Sequence, residues 1–293
     1  MAEKDYVFMT DSDSDLPWQY AKEKNIPVVR MPYAVGDREY FDDNGESGDQ
    51  ADFFEKMRQG ATPVTSLLPT AAYLEYFEPI LQEKDLLFLA FSSKMSATFN
   101  NVLEAQKELL EKYPQRKFIV VDTLSISFPM TVLIKQAHNL YEQGATMEEV
   151  ETWVLQNRTR SQVWFTVDDL VYLRRGGRIS STSAIFGTML NIKPLLTMTR
   201  QGKLEAYAKV QGSKKAMKAL VDKTAENIEN PGDQEVIIMH ADDEQNANLL
   251  RDMLMQRVPE AKNVVLGRIG PVIGAHAGPG TLAITFMGKE RPV

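Results

Sequence analysis

Leu86-Leu-Phe-Leu-Ala-Phe91 is a near-continuous apolar run that empties directly into Ser92-Ser-Lys-Met-Ser96. A strand with no polar face is what a parallel sheet covered on both sides requires. Apolar positions at helical spacing follow at Val102, Leu103, Leu109, Leu110 and Tyr113, so the stretch predicts a strand, a polar loop and a helix. The same unit lies on either side of it. Tyr6-Val-Phe-Met9 runs into Thr10-Asp-Ser-Asp-Ser-Asp-Leu16 and a helix opened at Pro17. Phe118-Ile-Val-Val121 runs into Asp122-Thr-Leu-Ser-Ile-Ser127 and a helix that stops near Gly144, after which Thr146 and Glu149 have the spacing of a capping box. This succession predicts an N-terminal α/β domain over residues 1–160, built on a doubly wound and mostly parallel sheet.

Between the first two units, residues 37 to 52 are acidic and read as an exposed connection. Phe53-Phe54 and Met57 start a short helix, and residues 63 to 70 form a loop rich in hydroxyls. From about residue 160 the texture changes. Val163-Trp-Phe-Thr166, residues 203–210, Val236-Ile-Ile-Met239, Val264-Val-Leu266 and residues 282–286 predict a second, mixed sheet in a C-terminal α/β domain over 161–293. The Met-rich segment from residue 183 to 196 suits a cavity wall as well as a core.

The chain has 293 residues, a net charge of -7, a pI near 5.2 and no cysteine. An acidic chain without a basic run argues against a nucleic-acid groove, and a DNA-binding role has nothing basic to rest on. Without cysteine there is neither a disulfide framework nor a thiolate metal site. No signal-peptide pattern precedes the first strand and no apolar run approaches the ~20 residues of a membrane span, so a cytoplasmic, soluble protein without a transmembrane segment is expected.

If the strands are parallel, the hydroxyl-rich exits around Thr65-Ser66, Ser92 to Ser96 and Asp122 to Ser127 converge on one edge. Each of these hydroxyls also suits the cap of a following helix. Gly270-Pro-Val-Ile-Gly-Ala-His-Ala-Gly-Pro-Gly280 packs four glycines and two prolines around His276, which reads as a tight turn presenting a hydrogen-bonding imidazole. No Gly-x-Ser-x-Gly elbow and no Gly-x4-Gly-Lys-[Ser/Thr] loop is present, so a serine hydrolase or a nucleotide site on this chain is not indicated. Asp11 and Asp13 after an apolar strand have the spacing of a magnesium-dependent phosphatase of the haloacid-dehalogenase type, with Asp168-Asp169 as the later acidic site. Asp11, Asp13 and Asp15 begin like a calcium loop, but the glycine and closing glutamate are missing.

Taken together, Thr10-Asp-Ser-x-x-Asp-Leu16, Thr65-Ser66, Ser92-Ser-x-x-Ser96, Leu173-x-x-Gly-Gly-Arg-Ile179, Lys193-Pro194 and the glycine-rich stretch around His276 resemble the DegV family from residue 6 to residue 286. The resemblance implies a bacterial fatty-acid-binding protein, the lipid-carrying subunit of fatty acid kinase, with a place in phospholipid metabolism. It implies two α/β domains with a fatty acid in a tunnel between them and no cofactor or catalysis of its own. Thr65, Ser96 and His276 would hold the carboxylate, with Ser66, Ser93 and Arg178 near it. In this pattern Asp13 falls on a position that the family does not specify. Leu67, Leu68, Ala97, Phe99, Pro129 and Gln211 depart from the pattern and bear on acyl preference and on engagement of the kinase.

Overall fold

The computed structural model describes residues 4–48, 52–179 and 191–292. Its first half runs β1 (Tyr6–Asp11), α1 (Trp18–Glu23), β2 (Val28–Val29), β3 (Pro32–Val35), β4 (Arg38–Phe41), α2 (Phe53–Arg58) and β5 (Val64–Thr65). There follow α3 (Thr70–Glu83), β6 (Asp85–Ala90), α4 (Thr98–Lys112), β7 (Phe118–Asp122), α5 (Ser127–Glu142) and α6 (Met147–Asn157). The second half runs β8 (Ser161–Thr166), α7 (Val171–Arg175), β9 (Ile192–Met198), β10 (Leu204–Gln211), α8 (Ser213–Asn227) and β11 (Glu235–His240). It closes with α9 (Glu244–Arg257), β12 (Asn263–Arg268), α10 (Pro271–Ala277) and β13 (Leu282–Met287).

The apolar run at β6 lies inside a four-stranded sheet of order β2-β1-β6-β7, parallel throughout. Helices cover both faces, which is why the strand carries no polar side. Phe8, Leu87 and Leu89 pack with Met130 and Ile134 of α5, whereas Met9, Leu86 and Phe88 pack with Tyr73 and Phe77 of α3. The second sheet has six strands in the order β10-β9-β8-β13-β11-β12 and is mixed, with β11 and β12 parallel and the other neighbours antiparallel. Alternate residues face opposite ways. Trp164, Ile238 and Ile284 pack with Leu220 of α8 and Leu250 of α9, while Val163, Phe165, Met239 and Ala283 turn toward the first half. A mixed α/β protein with one parallel and one mixed sheet is therefore the observed architecture.

One local expectation is corrected. Residues 38–41 form β4 rather than open connection: Gly36, at φ 62, and Asp37 make a tight turn that pairs Val35 with Arg38, and β3 joins β4 to β5 in a small antiparallel sheet. Asp42, just beyond, is 0% exposed. Of the charges that suggested a loop, Asp37 sits in the turn of the hairpin and Glu39 is exposed on β4. Of the segment 183–196, the part from Ile192 is strand β9, and residues 183–190 lie outside the described residues. The capping box at Thr146 and Glu149 forms as expected. Among the described residues no helix is long and apolar enough to cross a membrane.

The two sheets are tied by α5, which packs against β1 on one side and β8, β11 and β13 on the other. Arg291 adds a polar strap. It is 0% exposed and donates to the carbonyls of Ser161 and Leu124 and to Ser125 Oγ, each at 2.6 Å. Burial pushes its guanidinium down to about 9. Removing a buried charge's side of such a network strands its partners. Arg291→Met, which keeps the bulk and loses every donor, is expected to lower stability by about 3 kcal/mol in urea unfolding, with the β7–α5 loop and the start of β8 losing hydrogen-exchange protection first.

Candidate functional site

Parallel strands deliver their exit loops to one edge, and here that edge faces the inner side of the mixed sheet. The space between them is a cavity. Phe91 and Ile126, just past β6 and β7, form one wall, and Phe165, Leu204, Met239 and Ala283 form the other. Thr65, Ser66, Ser96, Arg178 and His276 line the same cavity, so the structure brings these sequence-predicted residues together. Ser93 is not among the lining residues; its amide donates to Asp122 Oδ1 at 3.2 Å. Three other strand-exit hydroxyls serve the backbone and Arg291. Ser92 donates to Gly202 O at 3.0 Å, Thr123 to Ala90 O at 2.8 Å, and Ser125 accepts from Arg291. Thr98 and Thr281 also line the cavity and escaped the sequence reading, because a threonine beside a helix or strand end reads as a cap.

The glycine-rich stretch is not simply a turn. Pro271 occupies the first helical turn, where its fixed φ suits the helix, and Gly278 at φ 80 ends it, so His276 sits in the last turn of α10. Its Nε2 lies 2.9 Å from Oγ1 of Thr65, which the pairing of β5 with β3 sets opposite Tyr33. The other edge of the ring rests on the backbone of Gly176, where a Cβ would stand 2.1 Å from Nδ1. Gly176 follows α7 at φ -72, so the glycine is required for space and not for backbone freedom. Two residues on, Arg178 donates to the Gly176 carbonyl. Burial, with the Arg178 charge beside it, lowers the imidazole from 6.5 to about 4, so the ring is neutral at pH 7. The site thus offers hydroxyls, a neutral imidazole and one guanidinium. That set suits an anion entering an apolar cavity. Nδ1 faces Gly176, and among the described residues no carboxylate orients the ring as in a nucleophilic triad.

Beside this end lies a group of carboxyls. Asp11, Asp13, Asp15 and Asp42 are all buried. Asp11 accepts from the Phe91 amide at 2.9 Å, Asp15 from the Gly270 amide at 2.9 Å and from the Ser127 hydroxyl, and Asp42 from the Asn44 amide at 3.0 Å. Burial raises Asp11 to about 7, and burial with the Asp42 charge raises Asp15 to about 8. Asp168 and Asp169, the later acids of a phosphatase reading, line a separate hollow with Arg58 and Asp242, and Asp168 pairs with Lys193 at 2.6 Å. The structure does not bring them to Asp11 and Asp13, and among the described residues no group of three acidic or histidine side chains is set to hold a metal ion.

Gly176→Ala should keep the fold and dislodge the ring. In ring-nitrogen NMR, His276 is expected to titrate near 4 in the parent and to move toward 6.5 in the variant as it leaves Thr65. The carboxyls give a second expectation. A group whose pKa rises on folding favours the folded state while it is protonated, so stability is full below the unfolded value of 3.8 and is lost as pH climbs through about 7 and 8. The unfolding free energy of the ligand-free protein, from urea titrations, should fall between about pH 4 and pH 8, at a slope of up to ~1.4 kcal/mol per pH unit for each such group, and Asp15→Asn should flatten part of that slope.

The DegV family model, described as that of an uncharacterised protein family, matches residues 7–289. A DegV domain-containing protein of Clostridium perfringens is 37% identical over 289 residues, covering 98% of this chain and 99% of that one. Another from Lactococcus lactis is 34% identical over 286 residues, covering 97% and 98%. Among solved structures, a DegV lipid binding protein of Thermotoga maritima superposes with a TM-score of 0.84 at 29% identity, covering 99% of this chain and 100% of that one. A DegV family protein from Thermus thermophilus, described for its fatty acid binding, gives a TM-score of 0.84 at 28% identity over 97% and 99% of the two chains. The chain belongs to the DegV family.

Proposed function

We propose that this protein binds a long-chain fatty acid in the cavity between its two α/β halves, residues 1–160 and 161–293, and performs no chemistry on it alone. The observation that carries the reading is an apolar cavity joined to one polar cluster in which Thr65, His276 and Arg178 stand together. Thr65, Ser66, Ser96, His276 and Arg178 hold the carboxylate. Ser93, three residues before Ser96 in the same loop, lies near it. The lipid binding described for the related Thermotoga protein and the fatty acid binding described for the Thermus protein support the ligand class. A carboxylate leaves water only when several donors meet it, and hydroxyls with a guanidinium meet that need. An acyl chain of about sixteen carbons contributes on the order of 10 kcal/mol at ~0.8 per methylene, enough to offset an association cost of ~4 to 15 when the head group is well held.

The finer reading is that the protein acts in the cytoplasm and presents the bound carboxylate to a separate ATP-dependent fatty acid kinase, which makes an acyl phosphate that feeds phospholipid metabolism. It rests on the resemblance in sequence and on a chain that carries no phosphate-binding loop of its own.

Native mass spectrometry of the purified protein, followed by denaturation and identification of what is released, is expected to show a stoichiometric fatty acid. A protein that arrives empty and takes up no added palmitate overturns the reading. His276→Ala should bind palmitate about 10- to 100-fold more weakly with an unchanged circular dichroism spectrum, the effect of losing a hydrogen bond to a charged group. Acyl phosphate should form only when kinase, ATP and the loaded protein are mixed; its formation without this protein removes the kinase role.

A further inference from the structure

Asp13 differs from the carboxyls around it. It is 4% exposed, lines the cavity alongside Arg178 and Thr65, and its Oδ1 is buried with no hydrogen-bond partner. Asp15 and Asp42 each accept backbone amides. Asp11 accepts one at Oδ2 and its Oδ1 is likewise buried without a partner, but Asp11 does not line the cavity. Five groups face Asp13: Asp11 at the end of β1, Asp15 on its own loop, Asp42 after β4, the Tyr73 hydroxyl of α3 and Arg178 after α7. One cation among so many buried acids leaves Asp13 no stable place as an anion, and an entering carboxylate would add a further negative charge beside it. A buried, unpartnered polar atom at the wall of an apolar cavity awaits a partner from inside that cavity.

We propose that Asp13 is a further ligand-binding residue, which keeps its proton and donates a hydrogen bond from its carboxyl to the carboxylate of the bound acyl ligand. The inference rests on the fatty-acid reading of the cavity. The charge then closes simply: the ligand enters as an anion, Arg178 balances it, and Asp13 with His276 stays neutral. Burial first, and then the charges of Asp11, Asp42 and Asp15, hold the Asp13 carboxyl well above the usual range. Asparagine at this position supplies a neutral donor of the same shape, and leucine supplies the shape without the donor.

The test has two arms. In the first, carbon NMR of aspartate-labelled, ligand-free protein follows the Asp13 carboxyl, assigned with Asp13→Asn. It is expected to remain protonated at pH 7, and titration in the ordinary range near 4 overturns the proposal. In the second, palmitate affinity is measured for the parent, Asp13→Asn and Asp13→Leu across neutral and alkaline pH. Expected are an Asn variant within about threefold of the parent at pH 7, a Leu variant weaker by about tenfold, and an alkaline loss of affinity that is larger in the parent than in the Asn variant, where only Asp11 and Asp15 remain to titrate. A Leu variant equal to the parent means that Asp13 gives the ligand nothing. An Asn variant tighter by about tenfold means that Asp13 is charged and repels it. Either result overturns the proposal. Failure of palmitate to bind the parent overturns the fatty-acid reading itself and this proposal with it, whereas binding with an ordinary Asp13 titration overturns this proposal alone.

Discussion

The imidazole of His276 occupies the space that any side chain at residue 176 would need. That contact joins α7, in the second half of the chain, to α10, and through Thr65 to the small antiparallel sheet of the first half. The neighbouring contacts follow the same rule. A Cβ on Gly278 would stand 2.3 Å from the Tyr172 ring, and one on Gly280 would stand 2.2 Å from Asp168. Backbone against side chain is the tightest packing a chain can make, and it leaves the ring few alternative positions. The polar end of the cavity is placed by this packing.

Charge is the second constraint on the same region. A buried imidazole beside a guanidinium gives up its proton, and buried carboxyls beside one another keep theirs. The two effects act together: they leave Arg178 as the cation facing a wall of hydroxyls and protonated or amide-bound acids. A site built this way attracts a single negative charge and has little to offer a second. The apolar walls on either sheet then decide what that charge is attached to.

The apolar runs and their polar exits were legible because burial on both faces of a parallel strand excludes polar residues, a demand that acts within six consecutive positions. The capping box was legible for the same reason, since its two partners are three residues apart. The hairpin at residues 32–41 was not, although Gly36-Asp37 marks its turn, because its exposed residues Arg38 and Glu39 look like those of a loop. Strand β9 was obscured by a composition that suits cavity, core and strand alike. In the glycine-rich stretch the composition suggested a turn, yet Pro271 and Gly278 bracket a helix between them.

The site divides along the same line. Which residues carry hydroxyls, imidazole and guanidinium is written in the chain, and their placement after apolar strands or in glycine-rich segments marks them as candidates. That Thr65 meets His276 across 211 positions, that Gly176 backs the ring, and that Asp13 faces the cavity while Ser93 does not, are facts of the assembled molecule. Local sequence acts through steric and hydrophobic demands felt a few residues away. Contacts between loops distant in the chain, and the burial that shifts their protons, arise only when the two sheets close on one another.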